Sequence, residues 1–210
     1  MFSFVRAVVK DMRHTGSVWP SGPLLARAMT RSLRAAKGPK RLLEIGPGTG
    51  PFTKVALRSL RPGDEFVIVE LNRAFCEDLE RRILAPFRRM HPEIVVTLHN
   101  APIEQAPLES GFDFIVCGLP FNNFPPSLVR SIFRRMLALL KPDGELVYFE
   151  YAGVRMLKAP LVGSRGREAL KRIASFSRAL TKRHHGKRQL VLSNFPPALA
   201  VRLKAGAAQR

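Results

Sequence analysis

The feature of this sequence that most restricts its fold is a glycine-rich turn set between a short apolar segment and a helical pattern. Residues 41–45 have the apolar character of a buried strand, residues 46–50 read Gly-Pro-Gly-Thr-Gly, and a helical pattern follows to about Leu60. Glycines in such a strand–loop–helix unit let the backbone pass close to a nucleotide-like ligand. The sequence therefore predicts a ligand site at the carboxyl end of the first strand.

Strand and helix patterns alternate after this loop. Strands are predicted over residues 65–69, 94–98, 112–117 and 145–151, with helical patterns over 73–89 and 125–140 between them and a turn at Pro142-Asp143-Gly144. Two further strands, over 189–192 and 199–203, suit an antiparallel pair at one edge. This order predicts an α/β fold, a doubly wound and mostly parallel seven-stranded sheet of Rossmann-like type.

The charge of the chain is high and uneven. The formal net charge is +19, from 35 basic and 16 acidic residues. Residues 1–41 carry a net charge of +8, from nine basic residues and one acidic residue. Residues 42–157 carry −1, from thirteen basic and fourteen acidic residues, and residues 158–210 carry +12, from thirteen basic residues and one acidic residue. The middle is a balanced domain, whereas both flanks predict an anionic partner, either nucleic acid or an anionic lipid surface.

The sequence argues against a disulfide framework, a metal site and a membrane-spanning helix. Its two cysteines are too few for a disulfide framework, and a reducing, cytoplasmic compartment is expected. The sequence has no CxxC or HExxH spacing, so no metal site is predicted. Its longest apolar stretches are shorter than the roughly 18 residues that span a bilayer.

The first residues have the pattern of an amphipathic helix over 2–13. Apolar and basic side chains segregate to opposite faces, with Phe2, Val5 and Val9 against Arg6 and Lys10. This pattern is typical of a helix lying on a membrane surface, and a helix packed on the core has the same pattern, so both interpretations stay open. We assign residues 1–37 to N-terminal membrane-binding or lid helices and residues 38–210 to the ligand-binding domain.

Acidic residues flank the glycine-rich turn in the expected fold. Glu44 directly precedes the turn, where it can orient the loop or the ligand, and Glu70 closes the second strand, twenty residues after Gly50. An acid at that strand end can accept hydrogen bonds from both ribose hydroxyls of a nucleotide. Both acids are therefore candidate ligand-binding residues.

The motif Glu44-x-Gly46-x-Gly48-x-Gly50, followed by an acid at the end of the second strand, resembles the class I S-adenosylmethionine-dependent methyltransferases. The resemblance implies S-adenosylmethionine as cofactor, with the glycine-rich loop facing its methionine part and the acid holding its ribose. The residues implied at the cofactor are Glu44, Gly46, Gly48, Thr49, Gly50, Glu70, Leu71, Asn100, Ala101, Gly118 and Leu119. Asn100 and Ala101 would flank the adenine, and many relatives carry Asp where Asn100 stands.

The loop after the fourth strand is similar to those of two narrower families. The rRNA adenine dimethyltransferases carry Asn-Leu-Pro-Phe/Tyr, and the bacterial phospholipid N-methyltransferases carry Ser-Gly-Leu-Pro followed by a proline pair. This chain has Gly118-Leu119-Pro120 and Pro125-Pro126, together with Val18-x-Pro20-Ser21 and Asn194-x-Pro196-Pro197-Ala198. These segments favour the phospholipid family.

That family resemblance implies methylation of phosphatidylethanolamine in three steps to phosphatidylcholine, on the inner face of the cell membrane. Tyr151 closes the fifth strand and matches the family position, so it is the candidate catalytic residue at the amine, with an aromatic core residue as the alternative. The family segments place Ser21 and Pro120 at the substrate or membrane. Trp19 suits a membrane-interface anchor or a core tryptophan, and Arg155 suits a contact with lipid phosphate or plain surface charge. An anionic membrane surface is the expected partner, nucleic acid is less favoured, and no protein partner is predicted. RNA adenine methylation and methylation of another aminolipid, such as an ornithine lipid, remain as alternatives.

Overall fold

The computed structural model describes residues 21–152 and 163–208. The helix predicted over 2–13, Trp19 and Arg155 lie outside the described residues. The roles predicted for them therefore stay predictions.

The described chain forms a seven-stranded sheet with the strand order β3-β2-β1-β4-β5-β7-β6. The strands are β1 (Arg41–Ile45), β2 (Glu65–Glu70), β3 (Val95–Asn100), β4 (Phe112–Cys117), β5 (Leu140–Tyr151), β6 (Lys187–Val191) and β7 (Ala198–Lys204). The pairings among β1 to β5 are parallel, and β7 runs antiparallel to both of its neighbours. The predicted doubly wound, mostly parallel sheet is confirmed.

Helices cover both faces of this sheet. They are α1 (Pro23–Met29), α2 (Arg31–Ala35), α3 (Pro51–Leu57), α4 (Arg73–Leu79), α5 (Ala85–Met90), α6 (Pro126–Leu139) and α7 (Ser164–Arg183). A π-helical turn joins α4 to α5, and Asn72 caps α4 by accepting a hydrogen bond from the Ala74 amide at 3.1 Å. No helix in the described ranges is both long enough and apolar enough to cross a bilayer.

The alternation of side chains along β1 divides the core into two layers. Leu43 and Ile45 pack on the face that α6 and α7 cover, whereas Leu42 packs on the face that α1 and α3 cover. Leu25 and Met29 of α1 are almost fully buried in this second layer. The described part of the predicted N-terminal segment therefore packs on the sheet, and its membrane or lid role stays a prediction.

The predicted turn at 142–144 is wrong, because β5 already begins at Leu140. Phe112 pairs with Leu140 and Phe114 pairs with Glu145, so residues 141–144 bulge within one strand. Lys141 anchors the bulge through an ion pair with Asp113 at 2.6 Å. Residues with turn composition are therefore held within the strand, because β5 pairs with β4 on both sides of them.

Candidate active site

Two glycines bring the loops after β1 and β4 into direct contact. The Gly46 amide donates to the Val69 carbonyl at 2.9 Å, and the Gly118 amide donates to the Ile45 carbonyl at 2.8 Å. A Cβ atom on Gly118 would lie 2.5 Å from the Gly46 carbonyl oxygen, closer than real Cβ contacts. Gly46 also has a φ of +66°, which favours glycine. The loops can therefore meet only with glycine at both positions.

Glu70 ties the glycine-rich loop to the turn after β2. Its Oε2 accepts a hydrogen bond from the Gly48 amide at 3.1 Å, and its Oε1 accepts one from the Asn72 amide at 2.7 Å. Burial raises the pKa of Glu70, and the amides of Asn72, Gly48 and Leu71 act in the opposite direction. Each carboxylate oxygen has a further lone pair, so two more donors can be bound at this edge of the sheet.

Asn100 supports the same turn from the end of β3. Its Nδ2 donates to the carbonyl oxygens of Glu70 at 2.9 Å and Leu71 at 3.1 Å. An aspartate could not donate these bonds, which gives a local reason for asparagine here. The amide is thus engaged with the backbone, and its predicted contact with adenine stays a prediction.

A cleft opens beside Glu70 at the carboxyl edge of the sheet. Residues lining it include Glu70, Leu71, Ala101, Ile103, Leu119 and Phe124. Apolar walls suit a purine, and a carboxylate beside them suits vicinal hydroxyls, so these residues fit S-adenosylmethionine. Leu71, Ala101 and Leu119 were predicted from sequence, whereas Ile103 and Phe124 lie in loops that carry no regular pattern.

A second cleft, which we call the acceptor cleft, lies on the other side of the same loop, between β5, α6 and α7. Its lining includes Pro120, Phe121, Phe133, Tyr148, Tyr151 and Phe176. Tyr151 ends β5, and its ring centroid lies 5.1 Å from that of Phe149. Burial raises the pKa of Tyr151, so the phenol is uncharged near neutral pH. The predicted residues Pro120 and Tyr151 therefore share one cleft.

Comparison with known proteins identifies the family. A model of the methyltransferase domain matches residues 42–144. The chain is 31% identical over 148 residues to an ornithine lipid N-methyltransferase of Singulisphaera acidiphila, a match that covers 68% of this chain and 73% of that protein. The chain belongs to the class I S-adenosylmethionine-dependent methyltransferases. A shorter match, 33% identical over 90 residues, links the methyltransferase to ribosomal RNA small subunit methyltransferase A of Synechocystis sp., covering 42% of this chain and 31% of that protein.

Solved structures agree with the fold. The O-methyltransferase TomG of Streptomyces achromogenes, in complex with S-adenosylmethionine, superposes with a TM-score of 0.63 at 18% identity, covering 95% of this chain and 88% of TomG. An O-methyltransferase of Bacillus cereus, in complex with SAH, superposes with a TM-score of 0.62 at 15% identity. The superposition covers 96% of this chain and 91% of that enzyme. S-adenosylmethionine is the cofactor of the methyltransferase.

The residue after Ser21 contacts the Asn194 segment, which is far from it in the chain. The amide of Gly22, which follows Ser21, donates to Asn194 Oδ1 at 2.8 Å. The buried Asn194 side chain also donates to the Pro196 carbonyl at 2.7 Å, which fixes the connection between β6 and β7. Because Ala198 pairs with Tyr151, this junction lies at the active-site end of the sheet. The structure therefore places Ser21 next to the Asn194 segment, and neither residue lines the cleft beside Glu70.

Glu44 lies beneath the glycine-rich loop of the methyltransferase rather than in either cleft. Its side chain is 1% exposed and faces the layer that contains α3. Burial raises its pKa to about 8, against a smaller opposing effect of the Thr53 hydroxyl and amide. Among the described residues, neither carboxyl oxygen has a hydrogen bond of standard geometry. Glu44 is thus placed to set the electrostatics of the loop from below.

Proposed function

We propose that this methyltransferase transfers methyl groups to the primary amine of a lipid headgroup at an anionic membrane surface. Phosphatidylethanolamine, converted stepwise to its mono-, di- and trimethylated forms, is the substrate we favour, and an ornithine lipid is the second candidate of the same class. The observation that carries the proposal is the similarity to an ornithine lipid N-methyltransferase over 68% of the chain. S-adenosylmethionine supplies the methyl group as an electrophilic sulfonium.

The protein then has to position an uncharged amine and exclude water. A primary alkyl amine titrates near pH 10, as lysine does, so the nitrogen must lose a proton before it can attack. The ammonium releases that proton to solvent water, and the neutral phenol of Tyr151 at the end of β5 can then accept a hydrogen bond from the uncharged amine. The aromatic walls of the acceptor cleft keep the nitrogen in place, and positioning of this kind supplies much of the catalysis.

An apolar and basic surface supports the proposed membrane contact. Leu24 of α1 and Leu190 and Leu192 at β6 line one shallow groove, with exposed fractions of 51%, 51% and 72%. Three arginines line the same groove: Arg27, Arg31 and Arg34. Leucines beside arginines suit insertion among anionic headgroups. Since Val191 pairs with Ala198, which pairs with Tyr151, Leu192 lies at the active-site end of the sheet.

We expect the double variant Leu24→Ser, Leu192→Ser to bind anionic vesicles about tenfold more weakly than the wild type, because two inserting side chains lose apolar contact. Co-sedimentation with vesicles of mixed neutral and anionic phospholipid measures the effect. The matched control is Met90→Ser, Val95→Ser, which removes two exposed apolar side chains (69% and 59%) near the opposite edge of the sheet. Equal binding by both double variants would refute this docking surface.

RNA methylation is the second candidate, favoured by the 33% identity to the rRNA methyltransferase. That similarity covers only 31% of the RNA enzyme, against 73% of the lipid enzyme. Gly118 stands where the RNA family carries asparagine, and the tight contact of Gly118 with Gly46 leaves no room for a side chain there. These observations favour the lipid substrate.

The deciding experiment offers labelled S-adenosylmethionine together with phosphatidylethanolamine in anionic vesicles, ornithine lipid in the same vesicles, and total RNA in separate reactions. We expect label in a lipid fraction, with chromatography of the headgroups distinguishing the two lipids and counting the methyl groups. Label in RNA alone would overturn the proposal.

A further inference from the structure

A pocket lined by basic side chains opens beside β6 and β7, at the end of the sheet opposite to the two clefts. Its four cations are Arg31 of α2, Lys187 of β6, and Arg202 and Lys204 of β7. Lys204 pairs in register with Glu145 of β5, whereas the other end of β7 pairs with Tyr151. Six residues along β5 span about 20 Å. This site, which we call the basic pocket, is therefore separate from both the cofactor cleft and the acceptor cleft.

The strand register brings like charges together in the basic pocket. Lys187 lies directly opposite Arg202 in the antiparallel pairing of β6 with β7, and Arg202 lies opposite Val147 of β5. Residues directly opposite each other point to the same face, and Val147 belongs to the layer that α1 covers. Like charges in opposite positions destabilise a sheet. An anion between Lys187 and Arg202 would offset this repulsion.

The guanidinium of Arg202 is held in place by the surrounding structure. Its Nη2 donates to the Ala28 carbonyl of α1 and, at 3.1 Å, to Gln189 Oε1. Burial lowers the pKa of Arg202, the charge of Glu145 opposes this effect, and the charge of Arg31 adds to it. Arg31 and Arg202 therefore lie close enough to repel each other. A guanidinium that is already oriented loses little conformational freedom when it binds an anion.

The acidic residues of the described chain leave the basic pocket positively charged. Glu145 is the one described acid that lines it, and its carboxylate lies 3.5 Å from Lys204 Nζ. In the described ranges no acid lies within ion-pair distance of Arg31, Lys187 or Arg202. Four cations and one acid leave a net charge of +3. The basic pocket therefore has the charge to bind a dianion.

We propose that the basic pocket binds a phosphate group. A phosphate monoester carries about −1.5 to −2 charges at pH 7 and has three strong acceptor oxygens, which match a fixed guanidinium beside lysines. The pocket volume of about 260 Å³ is several times the roughly 30 Å³ that a water molecule occupies in the liquid, so a phosphate group fits together with its waters. The site does not depend on which amine the enzyme methylates.

Two sources of the phosphate group fit this chemistry. One is a soluble phosphate ester, which the open pocket admits from solvent. The other is the headgroup of an anionic phospholipid, because Arg31 also lines the groove that contains Leu24 and Leu192. Inorganic phosphate is a probe of the chemistry that both sources share.

NMR titration of the full chain with inorganic phosphate, at an ionic strength kept constant with chloride, measures this binding. We expect saturable shifts of amides on β6 and β7 in the wild type and about tenfold weaker binding by the double variant Arg31→Gln, Lys187→Gln. The control Arg81→Gln, Arg82→Gln removes the same charge from exposed side chains near the opposite edge of the sheet and should bind as the wild type does. No saturable shift in the wild type, or an equal loss in both double variants, would overturn the phosphate site.

Thermal unfolding separates a binding role of Lys187 from a structural one. Because Lys187 and Arg202 repel each other, Lys187→Gln should unfold in chloride at a temperature equal to or above that of the wild type. Phosphate should then raise the unfolding temperature of the wild type more than that of the variant, since a ligand stabilises the state that binds it. A lower unfolding temperature of Lys187→Gln in chloride would mean that this charge supports the fold, and would contradict the proposal.

Co-sedimentation with phosphatidylglycerol vesicles distinguishes the two sources. Lys187 lines the basic pocket and not the groove of Leu24 and Leu192, so Lys187→Gln leaves the apolar contact with the membrane in place. Weaker vesicle binding by Lys187→Gln than by Arg81→Gln would support a lipid headgroup as the ligand. Equal vesicle binding by these two variants, with phosphate binding still reduced in Arg31→Gln, Lys187→Gln, would support a soluble phosphate ester.

Discussion

Replacement of Glu70 by alanine should lower the affinity for S-adenosylmethionine about a thousandfold. Two hydrogen bonds from ribose hydroxyls to a carboxylate contribute roughly 1.5–3 kcal/mol each, and 1.4 kcal/mol corresponds to a factor of ten. The same change frees the amides of Gly48 and Asn72, which Glu70 holds at 3.1 and 2.7 Å, so the glycine-rich loop also loses its tie to β2. Isothermal titration calorimetry measures the affinity directly.

Two further variants separate these contributions. Glu70→Gln keeps one acceptor oxygen and is expected to retain an intermediate affinity. Glu77→Ala removes an acid of α4 that is 65% exposed and paired with Arg73 on its own helix, so it should bind the cofactor as the wild type does. If Glu70→Ala bound S-adenosylmethionine as tightly as the wild type, the cofactor site would be wrongly assigned.

The sheet could be predicted because most of its strands are recognisable from short apolar segments of the sequence. The boundaries of β1 and β4 agree with the predicted ones, since each is an apolar run that ends at a glycine. The start of β5 was missed, because Pro142 and Gly144 have the composition of a turn while the pairing of Leu140 with Phe112 depends on a strand distant in sequence. Tertiary pairing therefore decided what local composition could not.

The candidate site likewise has a part that the sequence predicts and a part that depends on tertiary packing. Glu70 and the glycines occupy fixed positions relative to a strand end, so a sequence motif locates them. Side chains alternate along β5, so Tyr148 and Glu150 lie on one face, but the sequence does not indicate what covers that face. Only the packing of α7 brings Ser177, 27 residues away, to Glu150. For this reason the hydrogen bond between Ser177 and Glu150 could not be predicted from the sequence.

The stability of the methyltransferase should fall as the pH rises from about 5 to 8, and Glu44 should be one cause. In the folded protein burial raises the pKa of Glu44 to about 8, and the nearby charge of Glu70 acts in the same direction. In the unfolded chain the group titrates near pH 4.3. Between these values the folded state holds a proton that the unfolded state has released, so the free energy of unfolding falls by up to about 1.4 kcal/mol per pH unit. Below and above this window Glu44 adds no pH dependence.

Glu44→Gln isolates this contribution, because glutamine has nearly the shape of the protonated acid and does not titrate. Urea unfolding at pH 5, 6, 7 and 8 should give a shallower decline for the variant than for the wild type, with the difference growing to a few kcal/mol at pH 8. Glu77→Gln, on the surface of α4, should follow the wild-type curve. Parallel curves for wild type and Glu44→Gln would mean that Glu44 is ionised in the folded protein. Its carboxylate would then need a hydrogen-bond donor beneath the glycine-rich loop. The Thr53 hydroxyl of α3, which acts to lower the pKa of Glu44, is the candidate donor.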